Sequence, residues 1–320
     1  MYKPTLKDVL TARKRIQPYL PKTLLREYSA LSEAVGCEVY VKHENHQPTC
    51  AFKIRGGINL VSQLTNEEKR LGVVTASTGN HGQSIALASR IFGVKAIICV
   101  PRNSNPDKIR AIKSFGAEIV EEGRDFEEAK GNAERLALEH GYRYIHSGNE
   151  PHLIAGVGTI GLEMIEDQPS LDAVIVPVGG GSGASGISTV YKTMSPETKI
   201  IGVQAEEAKS VYLSWRSGNM ESTGKSKTFA DGLATRSAFE LPLEIMREKL
   251  DDFVLVSEDE MKAAIRLYIA KAHTIAEGAG AASLAATVKM REELRGKRVG
   301  VVLSGGNLTS DMLRGILKDN

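Results

Sequence analysis

Along this chain, short runs of β-branched and aliphatic residues alternate with longer stretches whose apolar positions recur every three or four residues. The runs predict strands at Glu38–Glu44 (EVYVKHE), Val73–Ser77 (VVTAS), Lys95–Val100 (KAIICV), Glu118–Glu122 (EIVEE), Ala173–Val178 (AVIVPV), Lys199–Ala205 (KIIGVQA), Asp252–Ser257 (DFVLVS) and Val299–Ser304 (VGVVLS). Segments such as DFEEAKGNAERLALEHG and EDEMKAAIRLYIAKA carry the helical period between them. Such alternation predicts an α/β fold of open, mostly parallel sheets with flanking helices. No internal repeat or low-complexity linker divides the sequence, so a second lobe is expected as an insertion: a small domain at 71–149 set into a large domain formed by 1–70 and 150–320.

Length supports two lobes, since 320 residues exceed the size at which a single core keeps growing. Hydrophobic residues make up 42% and charged ones 25%, the balance of an ordinary globular protein. With 41 basic against 39 acidic side chains, the net charge of +2 gives no field suited to nucleic acid or an anionic membrane, and a small-molecule substrate becomes the default partner. Cys37, Cys50 and Cys99 form no CxxC pair and suit a reducing compartment. The first residues mix charge throughout, with no signal-peptide core and no later run of membrane-spanning length, so a cytoplasmic location is expected. His43 and His46 in HENH lack further ligands nearby and are expected at a solvated loop or strand end.

Three glycine-rich turns follow predicted strands: STGNHG after VVTA, GGGSGASG after VIVPV, and SGGN after VGVVL. In open parallel sheets, ligands collect where strand carboxyl ends meet helix N-termini, so the three turns point to one crevice. The run Gly179–Gly186 is suited to hold a phosphate on backbone N–H groups. Gly181, Gly183 and Gly186 also spell GxGxxG with Glu206 20 residues beyond Gly186, the pattern of a dinucleotide site, which would make the chain a nicotinamide oxidoreductase. That reading leaves Lys53 and STGNHG without a role. Lys53 stands between Ala51-Phe52 and Ile54, where burial would depress the amine's pKa and make it a nucleophile toward carbonyls.

Taken in order, PTCAFKIRGG, ASTGNHGQS, VPVGGGSG, FADG and VLSGGN resemble the fold-type II pyridoxal-phosphate (PLP) enzymes, specifically the threonine/serine dehydratase and serine racemase group, over nearly the whole chain. The resemblance implies a tryptophan-synthase-β-like pair of sheets, PLP as cofactor and a homodimer. It also implies that Lys53 carries the cofactor as a Schiff base and moves the Cα proton, with Phe52 beside the ring. Gly179, Gly180, Gly181, Ser182 and Gly183 would anchor the phosphate, Asn80 the phenolic oxygen and Ser304 the pyridine nitrogen. Ser77, Thr78, Gly79, Asn80 and His81 would meet the substrate carboxylate. Glu277 in EGAGA would lie at the crevice. The implied reaction is β-elimination on L-threonine or L-serine, giving a 2-oxo acid and ammonia; the alternatives are serine racemisation or dehydration of another 3-hydroxy amino acid, such as hydroxyaspartate or phenylserine.

Departures from the family pattern bear on these expectations. The usual Thr-Gly-Ser-Phe-Lys reads Thr49-Cys50-Ala51-Phe52-Lys53, and Cys50 is expected to pack as a small buried hydrophobe. Thr78 stands where serine racemases carry a serine facing the lysine, which opens racemisation as a side activity. Glu206 aligns with an acidic ligand of the divalent cation that some members bind. Tyr212 stands roughly where its companion acid would be, so metal binding there is expected to be weak or absent, with Glu206 a weak candidate ligand. Isoleucine-regulated members carry a further C-terminal domain, so an unregulated or catabolic role is expected.

Overall fold

The computed structural model describes residues 2–318. Ten strands form two sheets: β1 (Leu25–Glu27), β2 (Glu38–His43), β3 (Val73–Ala76), β4 (Ala96–Val100), β5 (Glu118–Glu121), β6 (Arg143–Tyr144), β7 (Ala173–Pro177), β8 (Lys199–Ala205), β9 (Asp252–Val256) and β10 (Arg298–Leu303). The larger sheet runs β1-β2-β10-β7-β8-β9 and the smaller β5-β4-β3-β6. Every pairing is parallel except β1 with β2.

The eight strands expected from the sequence are all present within a residue or so of their ends. β1 and β6 are additions, three and two residues long, too short to leave an apolar run. β7, at an interior position, is buried at all five residues because helices cover both its faces. β1, the antiparallel edge, carries the charged Arg26 and Glu27, which discourage further pairing.

One core cluster packs on the smaller sheet, joining Val73, Ile98 and Ile112 with Ala12, Ile54, Ile58, Leu153 and Ala155. The helix Lys53–Val61 shares the core of the smaller sheet by packing against the helix Asn80–Ile91 that covers it, although its chain segment leads out of β2 in the larger one. A largely buried ionic group, open to a cleft only at Glu163 and the edge of Arg55, locks this helix in place. The Arg55 guanidinium donates to both oxygens of Glu44 at 2.8 Å and to both of Glu163 at 2.7 and 2.8 Å, and Lys42 Nζ donates to Glu163 at 2.6 Å. Thr23 and Thr159 supply further oxygens to Arg55. Two cations and two carboxylates compensate one another.

The HENH segment differs from expectation. His43 closes β2 as a strand end, but it is buried rather than solvated, stacked on exposed His46 with ring centroids 4.7 Å apart and hydrogen-bonded to Tyr28 Oη at 2.9 Å. Burial pulls its pKa down to about 4.

Candidate active site

The three glycine-rich turns leave the carboxyl ends of β3, β7 and β10, and Lys53 opens the helix Lys53–Val61 beside them. Two contacts fix this arrangement. Phe52 N–H donates to Ser304 O at 3.0 Å, and Ala51 makes an antiparallel bridge with Gly305. The lysine segment is thus stitched to the end of β10.

Lys53 Nζ donates to Ser182 Oγ at 2.8 Å and to Ser147 O at 3.1 Å, and among the described residues no carboxylate pairs with it. Burial without a counterion pulls the amine down to about 8. Phe52, half-buried, lies with its ring centroid 5.4 Å from that nitrogen. The amine and the first helical residue after the glycine loop meet directly, so Lys53 and the loop belong to one site.

Geometry dictates the glycines of that loop. A Cβ on Gly179 would stand 2.0 Å from Gly232 O, one on Gly180 would stand 2.3 Å from the Phe239 ring, and Gly181 takes φ +86° at the mouth of the helix Ser182–Met194. Among the described residues, none of the N–H groups of Gly179 to Gly183 donates to a protein acceptor. A nest of free amides at a helix N-terminus fits a phosphate. The Ser304 hydroxyl, on a residue only 4% exposed, likewise makes no hydrogen bond among the described residues, as a group suited to a ring nitrogen would. These features fit PLP.

A second anion nest faces the first. Ser77 caps Gly79 N–H at 3.2 Å, while the N–H groups of Asn80, His81 and Gly82 open the helix Asn80–Ile91 without protein acceptors. Thr78 is half-buried and its hydroxyl has no protein partner. The His81 ring turns away: Nε2 lies 3.0 Å from Thr75 Oγ1, which itself donates to Ile145 O, and Nδ1 is buried without a partner. Burial holds this imidazole down at about 3. Only the backbone amide of His81 faces the nest.

Asn80 Nδ2 donates to Glu277 Oε1 at 2.7 Å, and Asn307 Nδ2 donates to Asn80 Oδ1 at 2.7 Å and to Thr49 O at 2.9 Å. Asn307 thereby fixes which way the Asn80 amide faces. Burial pushes the Glu277 carboxyl up to about 7; Asn80 opposes the shift, nearby Asp231 adds to it, and Lys108 opposes it. Lys108 pairs with Asp231 across the gap between the sheets.

Asn307, Ser84, Ser147, His146 and Phe239 were not singled out by the sequence. Ser84 Oγ holds the Lys53 carbonyl at 2.7 Å. Asn307 stands inside the SGGN turn and Ser84 at the end of ASTGNHGQS, so both were legible from quoted motifs. His146, Ser147 and Phe239 lie outside every quoted motif.

Two expectations are corrected. Cys50 is exposed, with φ +51°, and it lines a cleft of about 570 Å³ with His46, His273 and Ile275 rather than packing in a core. Its left-handed backbone explains why a glycine suits this position in the family pattern. The GxGxxG reading also fails on contacts. Gly186 is small because the helix Pro151–Asp167 passes it, a Cβ there standing 2.6 Å from Ile154 O. Glu206 accepts from Lys289 Nζ at 3.2 Å, an ammonium that also meets Glu260 at 3.2 Å and Leu255 O at 2.9 Å. Tyr212 packs edge-on to Phe253, with ring centroids 5.7 Å apart. No helix among the described residues is long and apolar enough to cross a membrane.

A free amine beside a phosphate nest, at the carboxyl ends of two parallel sheets, defines a fold-type II PLP site. A family described as "Pyridoxal-phosphate dependent enzyme" matches residues 16–305, and the chain belongs to that family. It is 42% identical to an L-threonine ammonia-lyase of Thermotoga maritima over 98% of this chain and 78% of that one. It is 38% identical to a serine racemase of Dictyostelium discoideum over 98% of each chain. The processed form of threonine deaminase isoform 2 from Solanum lycopersicum superimposes with a TM-score of 0.92 at 32% identity, covering 99% of this chain and 95% of that one.

Proposed function

We propose that the protein is a PLP-dependent ammonia-lyase that deaminates L-threonine or L-serine by β-elimination. The observation that carries this reading is the Lys53 amine, unpaired by any carboxylate and held 2.8 Å from Ser182 Oγ beside the amide nest. Identity of 42% with the Thermotoga maritima L-threonine ammonia-lyase supports the substrate class.

Bound PLP, carried on Lys53, supplies an electron sink for the pair released when the Cα–H bond breaks. The chain's own residues do the rest. Amides of Gly179 to Gly183 and the Ser182 hydroxyl hold the phosphate, while amides at Asn80 and His81 with the hydroxyls of Ser77 and Thr78 receive the substrate carboxylate. The latter needs no arginine, because a helix N-terminus already favours an anion. Once the substrate's own amine has displaced it from the cofactor, the freed Lys53 Nζ would take the Cα proton. Burial without a counterion pulls that amine down to about 8, so more of it is neutral at pH 7 than of an ordinary lysine. Ser304 would present a hydroxyl to the ring nitrogen, which would not enforce protonation as a carboxylate would, so expulsion of the β-substituent would be favoured over a long-lived carbanion. The Cβ–O bond would then break as the leaving hydroxyl takes back the proton that Lys53 received from Cα, and departs as water. The released enamine tautomerises and hydrolyses to 2-oxobutanoate from threonine or pyruvate from serine, with ammonia.

PLP-loaded protein is expected to absorb near the visible edge and to release equimolar ammonia and 2-oxo acid from L-threonine. A colourless protein that takes up no PLP, or a loaded one inert toward every 3-hydroxy amino acid, would overturn the proposal. A second reading, serine racemisation, is favoured by the unpartnered Thr78 hydroxyl beside the second amide nest. It predicts D-serine in the recovered substrate, abolished by Thr78→Ala with ammonia release retained.

A further inference from the structure

His146 follows β6, the strand beside β3, and so emerges at the sheet edge that presents Ser77 to Asn80. Its Nδ1 accepts two backbone N–H groups, from Gly148 at 3.0 Å and Asn149 at 2.9 Å. A ring nitrogen that accepts twice carries no proton, so the hydrogen must reside on Nε2. That nitrogen has no hydrogen-bond partner among the described residues, and it is not sealed from solvent. Burial, reinforced by the charges of Lys130 and Lys53, lowers this imidazole to about 4, so it remains neutral at physiological pH.

The surroundings place this donor beside the reacting amine. The carbonyl of the next residue, Ser147, accepts from Lys53 Nζ at 3.1 Å. Phe239 holds the imidazole edge-on, with centroids 4.6 Å apart and planes at 85°, and the same phenyl ring lies over Gly148 and Gly180 of the phosphate loop. The imidazole is therefore clamped by two amides on one side and an aromatic ring on another, with one N–H left over. The elimination chemistry does not otherwise use it.

We infer that His146 determines specificity for 3-hydroxy amino acids by donating its Nε2–H to the substrate's 3-hydroxyl oxygen. The inference rests on the lyase reading above. A neutral, orientation-locked donor near the amine that works at Cα is suited to an uncharged oxygen one carbon further on. A site built around such a donor rejects analogues that leave it unpaired.

The test compares L-serine with β-chloro-L-alanine on PLP-loaded protein, since chloride leaves without a strong hydrogen-bond donor. His146→Asn keeps an acceptor where Nδ1 stands and removes the Nε2–H; His146→Gln places an amide N–H where Nε2 stands. The expected result is a drop of about tenfold or more in kcat/KM for serine in His146→Asn. Activity on chloroalanine should stay within about threefold, with serine activity partly regained in His146→Gln. Equal losses on both substrates would assign His146 to loop support alone and overturn the inference, as would no loss on either. Should His146→Asn fail to retain the cofactor, His146→Gln against His146→Met carries the same comparison. Wild-type protein that released ammonia from neither substrate would refute the lyase reading itself, a failure distinct from that of the variants.

Discussion

Gly179→Ala tests whether the phosphate nest depends on the close approach of two backbones. The added Cβ would stand 2.0 Å from Gly232 O, whereas ordinary contact begins near 3.4 Å, so one segment must move by about 1.4 Å. Neither side yields cheaply. Gly179 follows β7, which pairs with both β8 and β10, and Gly232 sits within the tight turn Asp231–Leu233. A shift of that size misaligns the amides of the nest. Each N–H bond to a charged phosphate is worth about 1.5–3 kcal/mol, so losing two weakens PLP binding by about 3–6 kcal/mol, or 100-fold and more. Titration of cofactor-free protein with PLP, followed by absorbance, measures this directly. Gly224→Ala serves as the control, because its Cβ would meet nothing within 4 Å. Affinity in Gly179→Ala equal to that of wild type would refute the assignment of this loop.

Lys53→Ala is expected to remove the visible-edge absorbance and to abolish turnover, while circular dichroism stays native; retained absorbance would move the Schiff base to another lysine. Glu277, raised to about 7, contributes stability that is fully present below the ordinary carboxyl value of 4.5 and is lost as pH rises through 7. Glu277→Gln should therefore gain melting temperature over cofactor-free wild type at pH 8 but not at pH 4.5, by thermal denaturation, an effect of up to about 3 kcal/mol. Lys289→Met removes the ammonium from Glu206 and Glu260, and should convert stability that is indifferent to millimolar magnesium into stability that rises with it; no change in either protein would refute the view that this ammonium compensates the two acids. Arg55→Met strands the Glu44 carboxylate in the interior, since Glu163 keeps Lys42, and should cost about 3–5 kcal/mol in urea unfolding, and a loss under about 1 kcal/mol would contradict the burial of Glu44.

The sequence displayed the parts of this site that need backbone geometry. Glycine at the turns after β3, β7 and β10, and a lysine flanked by apolar residues, are demanded by close approach and by a dehydrated amine, and such demands are local. β1 and β6 escaped notice because two or three residues cannot establish an alternation. His146 and Phe239 escaped for another reason: their roles depend on contact between segments about 90 residues apart, which no spacing announces. Cys50 was misplaced because its residue type speaks for burial, while its position in a left-handed turn at the end of β2's connection turns it outward.

The four compensating charges around Arg55 also constrain how this sequence can drift. Any lone replacement among Lys42, Glu44, Arg55 and Glu163 abandons a neighbour in a region with little solvent to screen it, so accepted changes should arrive as matched pairs or as a wholesale exchange for oily side chains. Because the same helix begins at Lys53, such an exchange would be felt first as a misplaced amine and only afterwards as a weaker fold.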